Sequence, residues 1–149
     1  MLKPYFCPEP LPPGCPSRCS DAFARVYDEL HGRVSIYIAS ARCAVFLEGD
    51  CTPNEAVADI MLCLEQGLVQ PATEVFVDLT DFSGTVDWGF VGTIPKLAIW
   101  KPPPQKMAFL VGSEPLAVLA KVVGVFVNNT KSKTFTDPYE AHAWLGWLD

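Results

Sequence analysis

The chain has 149 residues and a net charge of −6; half its residues are apolar and 19% are charged. That composition excludes general disorder, and the length is that of one domain, which buries roughly 68% of its unfolded surface on folding. The acidic balance argues against a nucleic-acid partner. It is unevenly spread, because residues 43–95 carry nine acids and no Lys or Arg, while the flanking segments are mildly basic.

Residues 1–19 hold six of the fourteen prolines and Cys7, Cys15 and Cys19. They read as an irregular Pro/Cys-rich leader ahead of a single domain over residues 20–149. The prolines replace the apolar run of a secretory signal, and no stretch reaches the roughly 20 apolar residues of a membrane span. A soluble, cytoplasmic protein without a membrane span follows as the expectation. Disulfides are disfavoured in that setting. Cys43 and Cys63 read as small buried hydrophobes, and the spacing Cys-x7-Cys-x3-Cys of the leader lacks the paired short intervals of a zinc ribbon.

A short helix is predicted from Asp21 to Leu30, with Ser20 as N-cap, from the spacing of Phe23, Val26, Tyr27 and Leu30. Val34, Ile36 and Ile38 then alternate with Ser35, Tyr37 and Ala39, and Cys43 to Leu47 follows after a short link, so an antiparallel hairpin is expected. Thr52-Pro53-Asn54-Glu55 is a capping box with proline at the first helical position. It starts a helix to Gln66, with Gly67 as C-cap and Val57, Ile60, Met61 and Leu64 as the inner stripe. Glu74 to Leu79 is a buried strand ending in the loop Thr80-Asp81-Phe82-Ser83-Gly84. A helix is predicted from about Thr85 or Asp87 to Trp100, kinked by Pro95.

Lys106 to Val111 is the next strand, and Ser113-Glu114-Pro115 opens a helix to about Phe126. Lys131 to Phe135 is a short strand. Asp137-Pro138-Tyr139-Glu140 is a second capping box, starting a helix that carries Tyr139, Ala143, Trp144, Trp147 and Leu148 to the chain end. Strands alternating with helices imply an α/β protein, with a mixed, mostly parallel sheet of about five strands and about four helices.

Some of these segments are familiar in wording as well as order. Val75-Phe76-Val77-Asp78-Leu79-Thr80-Asp81-Phe82 resembles the central segment of the STAS superfamily, the sulfate-transporter and anti-sigma-factor-antagonist domains. Lys106 to Val111 resembles the middle strand of its SpoIIAA-like branch, which is grouped with SEC14-type domains. The ending Phe135-Thr136-Asp137-Pro138-Tyr139-Glu140-Ala141-His142-Ala143-Trp144-Leu145 resembles that branch's "Phe, then Glu-Ala-x-x-Trp-Leu" close. The likeness covers about residues 34–148. It implies a small cytoplasmic bacterial regulatory module, often dimeric, without established catalytic residues. In phosphoswitch members a Ser follows an Asp at the start of the helix after the central strand. Asp87-Trp88 stands there in this chain, and Trp has no hydroxyl, so Ser83 and Thr85 become the candidate phosphorylation sites.

The candidate partner- or ligand-binding residues are therefore Asp81, Phe82, Ser83, Thr85, Asp87, Trp88 and Phe90. Three functions compete. The first is a non-enzymatic regulatory or interaction module that binds a protein partner and needs no cofactor. The second is a carrier of a small apolar or lipid-like ligand in a SEC14-type cleft lined by Trp88, Phe90, Leu97 and Trp100. The third is a metal-assisted enzyme using Asp78, Asp81 and Asp87, carboxylates that cluster where ligands favour an open α/β sheet. Turn and cap roles explain the same aspartates. No Gly-x-Ser-x-Gly, P-loop or dinucleotide glycine pattern occurs, and no spacing draws His31 or His142 into a Cys–His pair, so no catalytic residue or metal ligand set is assigned. The acidic 43–95 and basic 96–149 segments are complementary, which fits pairing across a homodimer interface of the kind the resemblance implies, and equally fits pairing within one chain or simple solvation.

Overall fold

The computed structural model describes residues 3–5, 21–28, 32–39, 42–51, 53–69, 73–83, 106–112 and 130–147. Seven strands lie side by side in chain order: β1 (Lys3–Tyr5), β2 (Asp21–Asp28), β3 (Gly32–Ala39), β4 (Arg42–Gly49), β5 (Glu74–Asp78), β6 (Lys106–Leu110) and β7 (Lys131–Phe135). The β1 to β4 pairings are antiparallel, and those from β4 to β7 are parallel. Two described helices, α1 (Pro53–Glu65) and α2 (Pro138–Leu145), complete the α/β arrangement.

The α/β class with a mixed sheet is as the sequence implies, and β1 and β2 extend the sheet on its antiparallel side. This corrects the reading of Asp21 to Leu30 as a helix. Residues 21–28 form β2, paired to β3 with Phe23 opposite Ile36 and Arg25 opposite Val34, and the register shifts between Val26 and Asp28. A ten-residue helix is marginal by itself, whereas a strand here satisfies the backbone groups along the edge of β3. Lys3–Tyr5, inside the Pro/Cys-rich leader, pairs in turn with β2. The predicted helices after Gly84 and after Ser113 lie outside the described residues.

Alternation along each strand divides the core between the two faces of the sheet. On one face Val34, Ile36, Val45, Val75, Val77, Met107 and Phe109 pack with α1. The inner side of α1 is rotated from the predicted stripe. Ile60 and Cys63 are buried, Asp59 is fully buried one turn before Cys63, and Val57, Met61 and Leu64 are half-buried. Gly67 ends this segment at φ 73°, in the left-handed region that its lack of a Cβ allows.

On the other face Tyr37, Phe46, Phe76, Leu110 and Phe135 pack with Ala141 and Leu145 of α2 and with Trp147. Asp137 caps α2, its side chain accepting from the Tyr139 N–H at 3.0 Å, with Pro138 in the first turn. The helix does not continue to the chain end as predicted. Gly146 adopts φ 78°, its N–H donates to the Ala143 carbonyl, and the Trp147 N–H donates to the His142 carbonyl. This Schellman-type turn folds the Trp147 ring back into the core, while Tyr139 is left 67% exposed.

Candidate functional site

The parallel half of the sheet ends in a tight turn. Asp78, the last residue of β5, accepts through one carboxylate oxygen from the Thr80 N–H at 2.9 Å and the Thr80 hydroxyl at 2.6 Å. That is an Asx turn. The Leu79 N–H donates to the Leu110 carbonyl of β6 at 2.9 Å, and the Phe82 N–H donates to the Leu79 carbonyl at 3.2 Å. The turn is also stitched to β4: the Gly49 N–H donates to the Asp81 carbonyl at 2.8 Å, and the Ser83 N–H donates to the Gly49 carbonyl at 3.0 Å. Phe82 packs its ring against the α1-side core. The backbone of residues 78–83 is thereby held from both neighbouring strands.

A cleft of about 410 Å³ opens beside this turn, on the α2 face. Tyr37, Phe46 and Leu110 form its apolar floor. The Tyr37 and Phe46 rings meet edge to face at 5.5 Å and 87°. Asp78, Thr80 and Asp81 contribute one wall, and Thr136 and Pro138, at the junction of β7 and α2, contribute another. Arg33 and Glu48 contribute a third. These two are directly opposite in the β3–β4 register, and one guanidinium nitrogen lies 3.2 Å from each oxygen of the Glu48 carboxylate. In open α/β sheets the C-terminal strand ends are where ligands bind, and this cleft lies at that edge of β4, β5 and β6.

The structure thus separates the residues that the sequence grouped. Asp81 lines the cleft, Ser83 is exposed at the end of the turn, and Phe82 anchors the turn from beneath. Thr85, Asp87, Trp88 and Phe90 lie outside the described residues, as do Leu97 and Trp100. Asp78 and Asp81 share the turn, but one Asp78 oxygen is taken up by Thr80. Among the described residues no group of three His, Cys, Asp or Glu side chains is placed to hold a metal ion. Arg33, Glu48, Thr136 and the aromatic floor were not singled out from the sequence. The signal for the first two was present in the hairpin: a two-residue connection after Ala39 fixes Ala39 opposite Arg42 and, six residues along, Arg33 opposite Glu48.

The remaining titratable groups are structural in their surroundings. Cys43, Cys51 and Cys63 are free, buried thiols. Burial, helped by the charge of Asp59, pushes the Cys63 thiol up to about 11, and burial raises Cys43 strongly as well. The His142 ring is edge-on to Phe76 and to Trp147, 5.3 Å from each, a packing role. Cys7, Cys15, Cys19 and His31 lie outside the described residues, and no described helix is long and apolar enough to cross a membrane.

The architecture has a counterpart among solved structures. It is similar to the crystal structure of an uncharacterised DUF3478-family protein from Shewanella loihica, described as having a SpoIIAA-like fold. The TM-score is 0.55 at 19% sequence identity, over 81% of this chain and 98% of that one. The fold of this chain is therefore SpoIIAA-like, in agreement with the resemblance of its central strand and its Glu-Ala-x-x-Trp-Leu ending. No protein-family model matches the chain, and no curated protein matches it significantly.

Proposed function

We propose that this protein is a non-enzymatic regulatory module that recognises a protein partner through the cleft beside the Asp78–Ser83 turn. The observation that carries this reading is the construction of the cleft. An apolar floor of Tyr37, Phe46 and Leu110 is framed by polar walls, and the turn that forms one wall is held by hydrogen bonds from both β4 and β6. A preorganised, concave, partly aromatic surface is what binding selects. Asp81 is the partner-contacting member of the turn, and Ser83, exposed beside it, is the accessible candidate for phosphorylation. Thr85, Asp87, Trp88 and Phe90, the candidates that follow in sequence, belong to the same proposed contact set.

The working unit in this reading is the domain over residues 20–149 with β1 added at its sheet edge; it acts in the cytoplasm and pairs as a homodimer. A cleft of about 410 Å³ is also within the size range of small-ligand sites, which keeps the carrier of a small apolar ligand as the second reading. The use of Asp78 as the acceptor of the turn favours both over a metal-assisted enzyme.

The test is Thr136→Arg, which sets a long side chain into the cleft from an exposed position. A partner captured from the native host by the wild-type protein is identified by mass spectrometry, purified and titrated. Its affinity should fall at least tenfold for the variant while the thermal midpoint is unchanged. Equal affinity refutes the cleft as the recognition surface.

A further inference from the structure

We propose that the free edge of β7 docks an acidic, extended segment of another protein, which adds antiparallel as a further strand. This surface is separate from the cleft and does not rest on the reading of it. β7 ends the seven-stranded sheet on its parallel side and pairs with β6. The Val111 N–H donates to the Phe135 carbonyl at 2.9 Å, which turns the main-chain groups of Phe135, and by alternation those of Lys133 and Lys131, towards β6. The N–H and carbonyl groups of Ser132 and Thr134 therefore face outward, and among the described residues no strand pairs with them. Lys131, Ser132 and Lys133 are exposed, so the start of this edge is open on both faces of the sheet.

Lys131 and Lys133 lie on the same face as Phe135, the α2 side. Lys106 of β6 stands beside Lys131 in the register and donates to the Trp144 carbonyl at 2.8 Å. Lys133 rests its ammonium 5.3 Å from the centre of the Phe135 ring. Edge lysines bar neutral and basic strands from pairing. They do not bar an acidic strand, for which each lysine becomes a cross-strand ion pair. The outward main-chain groups call for a strand, and the lysines reject all but one class of strand.

The pairing fixes the partner's pattern. An antiparallel strand hydrogen-bonded at Ser132 and Thr134 sets Lys131, Lys133 and Phe135 in the non-hydrogen-bonded positions, where facing side chains come closest. In chain order the partner then reads apolar-x-acid-x-acid, with the apolar residue opposite Phe135. That ring packs 5.7 Å from Trp144, which is half-buried, so the apolar residue extends the α2-side core. A second copy of β7 does not fit. The registers centred on Ser132 or Lys133, which pair most of the strand, set lysine against lysine. Outside the described residues the acids of this chain are Glu9, Glu29, Asp87, Glu114 and Asp149, no two of them at alternate positions. The acidic strand therefore comes from another protein.

The experiment titrates the full-length protein at low salt, where exposed charges are least screened, with the capped peptide Thr-Val-Thr-Glu-Thr-Glu-Thr. Binding is followed by the amide chemical shifts of Ser132 and Thr134. The same peptide with lysine in place of glutamate should bind about tenfold more weakly. N-methylation of the threonine between the glutamates removes one main-chain donor and should weaken binding about fivefold. The double variant Lys131→Glu with Lys133→Glu, at exposed side chains, should keep its thermal midpoint and prefer the lysine peptide. Equal binding of the glutamate and lysine peptides overturns the charge selection, and equal binding of the N-methylated peptide overturns strand addition. Ser132 and Thr134 amides that move with protein concentration alone assign the edge to a second copy and overturn the acidic partner. Amides unmoved by millimolar peptide overturn the docking site, and the cleft reading stands or falls separately on its own variant.

Discussion

Truncating Phe76 to Ala tests how the core of the α2 face supports the site. Phe76 is fully buried in the middle of β5, stacked 6.3 Å from Phe46 of the cleft floor and edge-on to His142 of α2 at 5.3 Å. Its cross-strand neighbours are both alanines, Ala44 on β4 and Ala108 on β6, and both are fully buried. The variant therefore places three alanines in a row across the centre of the sheet. No neighbouring side chain in that row can swing in to fill the space. The ring removed is on the order of 100 Å³; at ~24 cal/mol per Å³ the cavity costs about 2.4 kcal/mol, and the lost transfer energy adds about 2 kcal/mol. The expected loss is about 4 to 5 kcal/mol, at the upper end for Phe→Ala because the site cannot collapse. With a urea m-value of about 2 kcal/mol/M, the unfolding midpoint should fall by about 2 M. Phe76→Leu, which keeps most of the volume, should cost about a third of that. A midpoint shift under about 0.5 M for Phe76→Ala, roughly 1 kcal/mol, would refute the argument, because it would mean that the α2 face repacks freely around its central ring.

Other consequences are equally direct. A Cβ on Gly32 would lie 2.6 Å from the backbone carbonyl of Asp50, so Gly32→Ala should lower stability by about 2 to 3 kcal/mol; an unchanged thermal midpoint would show that the hairpin end shifts without cost. Asp78→Ala removes both bonds from Thr80 and should cost about 1 kcal/mol at this exposed turn, with faster hydrogen exchange at Thr80 to Ser83. Thr80→Val keeps the N–H bond and should cost about half as much; equal effects would mean that the hydroxyl bond carries the turn. The Cys63 thiol, raised to about 11 from an ordinary value of 9.0, ionises later in the folded chain than in the unfolded one. Its contribution to stability is complete below pH 9 and is lost as pH rises towards 11, so the urea midpoint should fall across that window and fall less in Cys63→Ala. Peptide mapping after thiol labelling at pH 8 should likewise find Cys63 unmodified until the chain unfolds; rapid labelling of the native protein counts against its burial.

Where local chemistry decided the structure, the sequence was readable. The helix start at Pro53, the Asp137 cap, the glycine at 67, the alternation through Val34 to Ile38 and the apolar run of β5 each have a local cause, and each appears where it was expected. In residues 21–28, Phe23, Val26 and Tyr27 fit a helical stripe, while the deciding interaction, the edge of β3, belongs to another segment. The aromatic periodicity extends the last helix to Trp147, while the left-handed turn at Gly146 ends it at Leu145. The candidate site was legible in the turn, where Asp81 and Ser83 lie in the loop after the central strand. Its other walls come from Arg33, Glu48 and Thr136, on elements distant in sequence that only the register and topology bring to one edge. Phe82 has the composition of a contact residue and the position of an anchor, a distinction that depends on which face of the turn meets the core.

The placement of charge along the sheet explains why the acidic middle of the chain ends up at the site. At the N-terminal strand ends, Lys106 of β6 donates to the Trp144 carbonyl at 2.8 Å and lies 5.2 Å from the centre of that ring. Arg42 of β4 lies 5.7 Å from the centre of the Trp147 ring and within 3.5 Å of the Gly146 carbonyl. Both bases thus meet the C-terminal end of α2, where free carbonyls favour positive charge. At the opposite strand ends, Glu48, Asp78 and Asp81 surround the cleft. Of the other described acids in residues 43–95, Asp59 is buried in the α1-side core. Glu48 is met there by Arg33, so the carboxylates left without a basic partner at this edge among the described residues are those of Asp78 and Asp81. Among the described bases, Arg42 and Lys106 are held by the far end of α2, so the charge at the cleft depends in part on how that helix is fastened to the sheet.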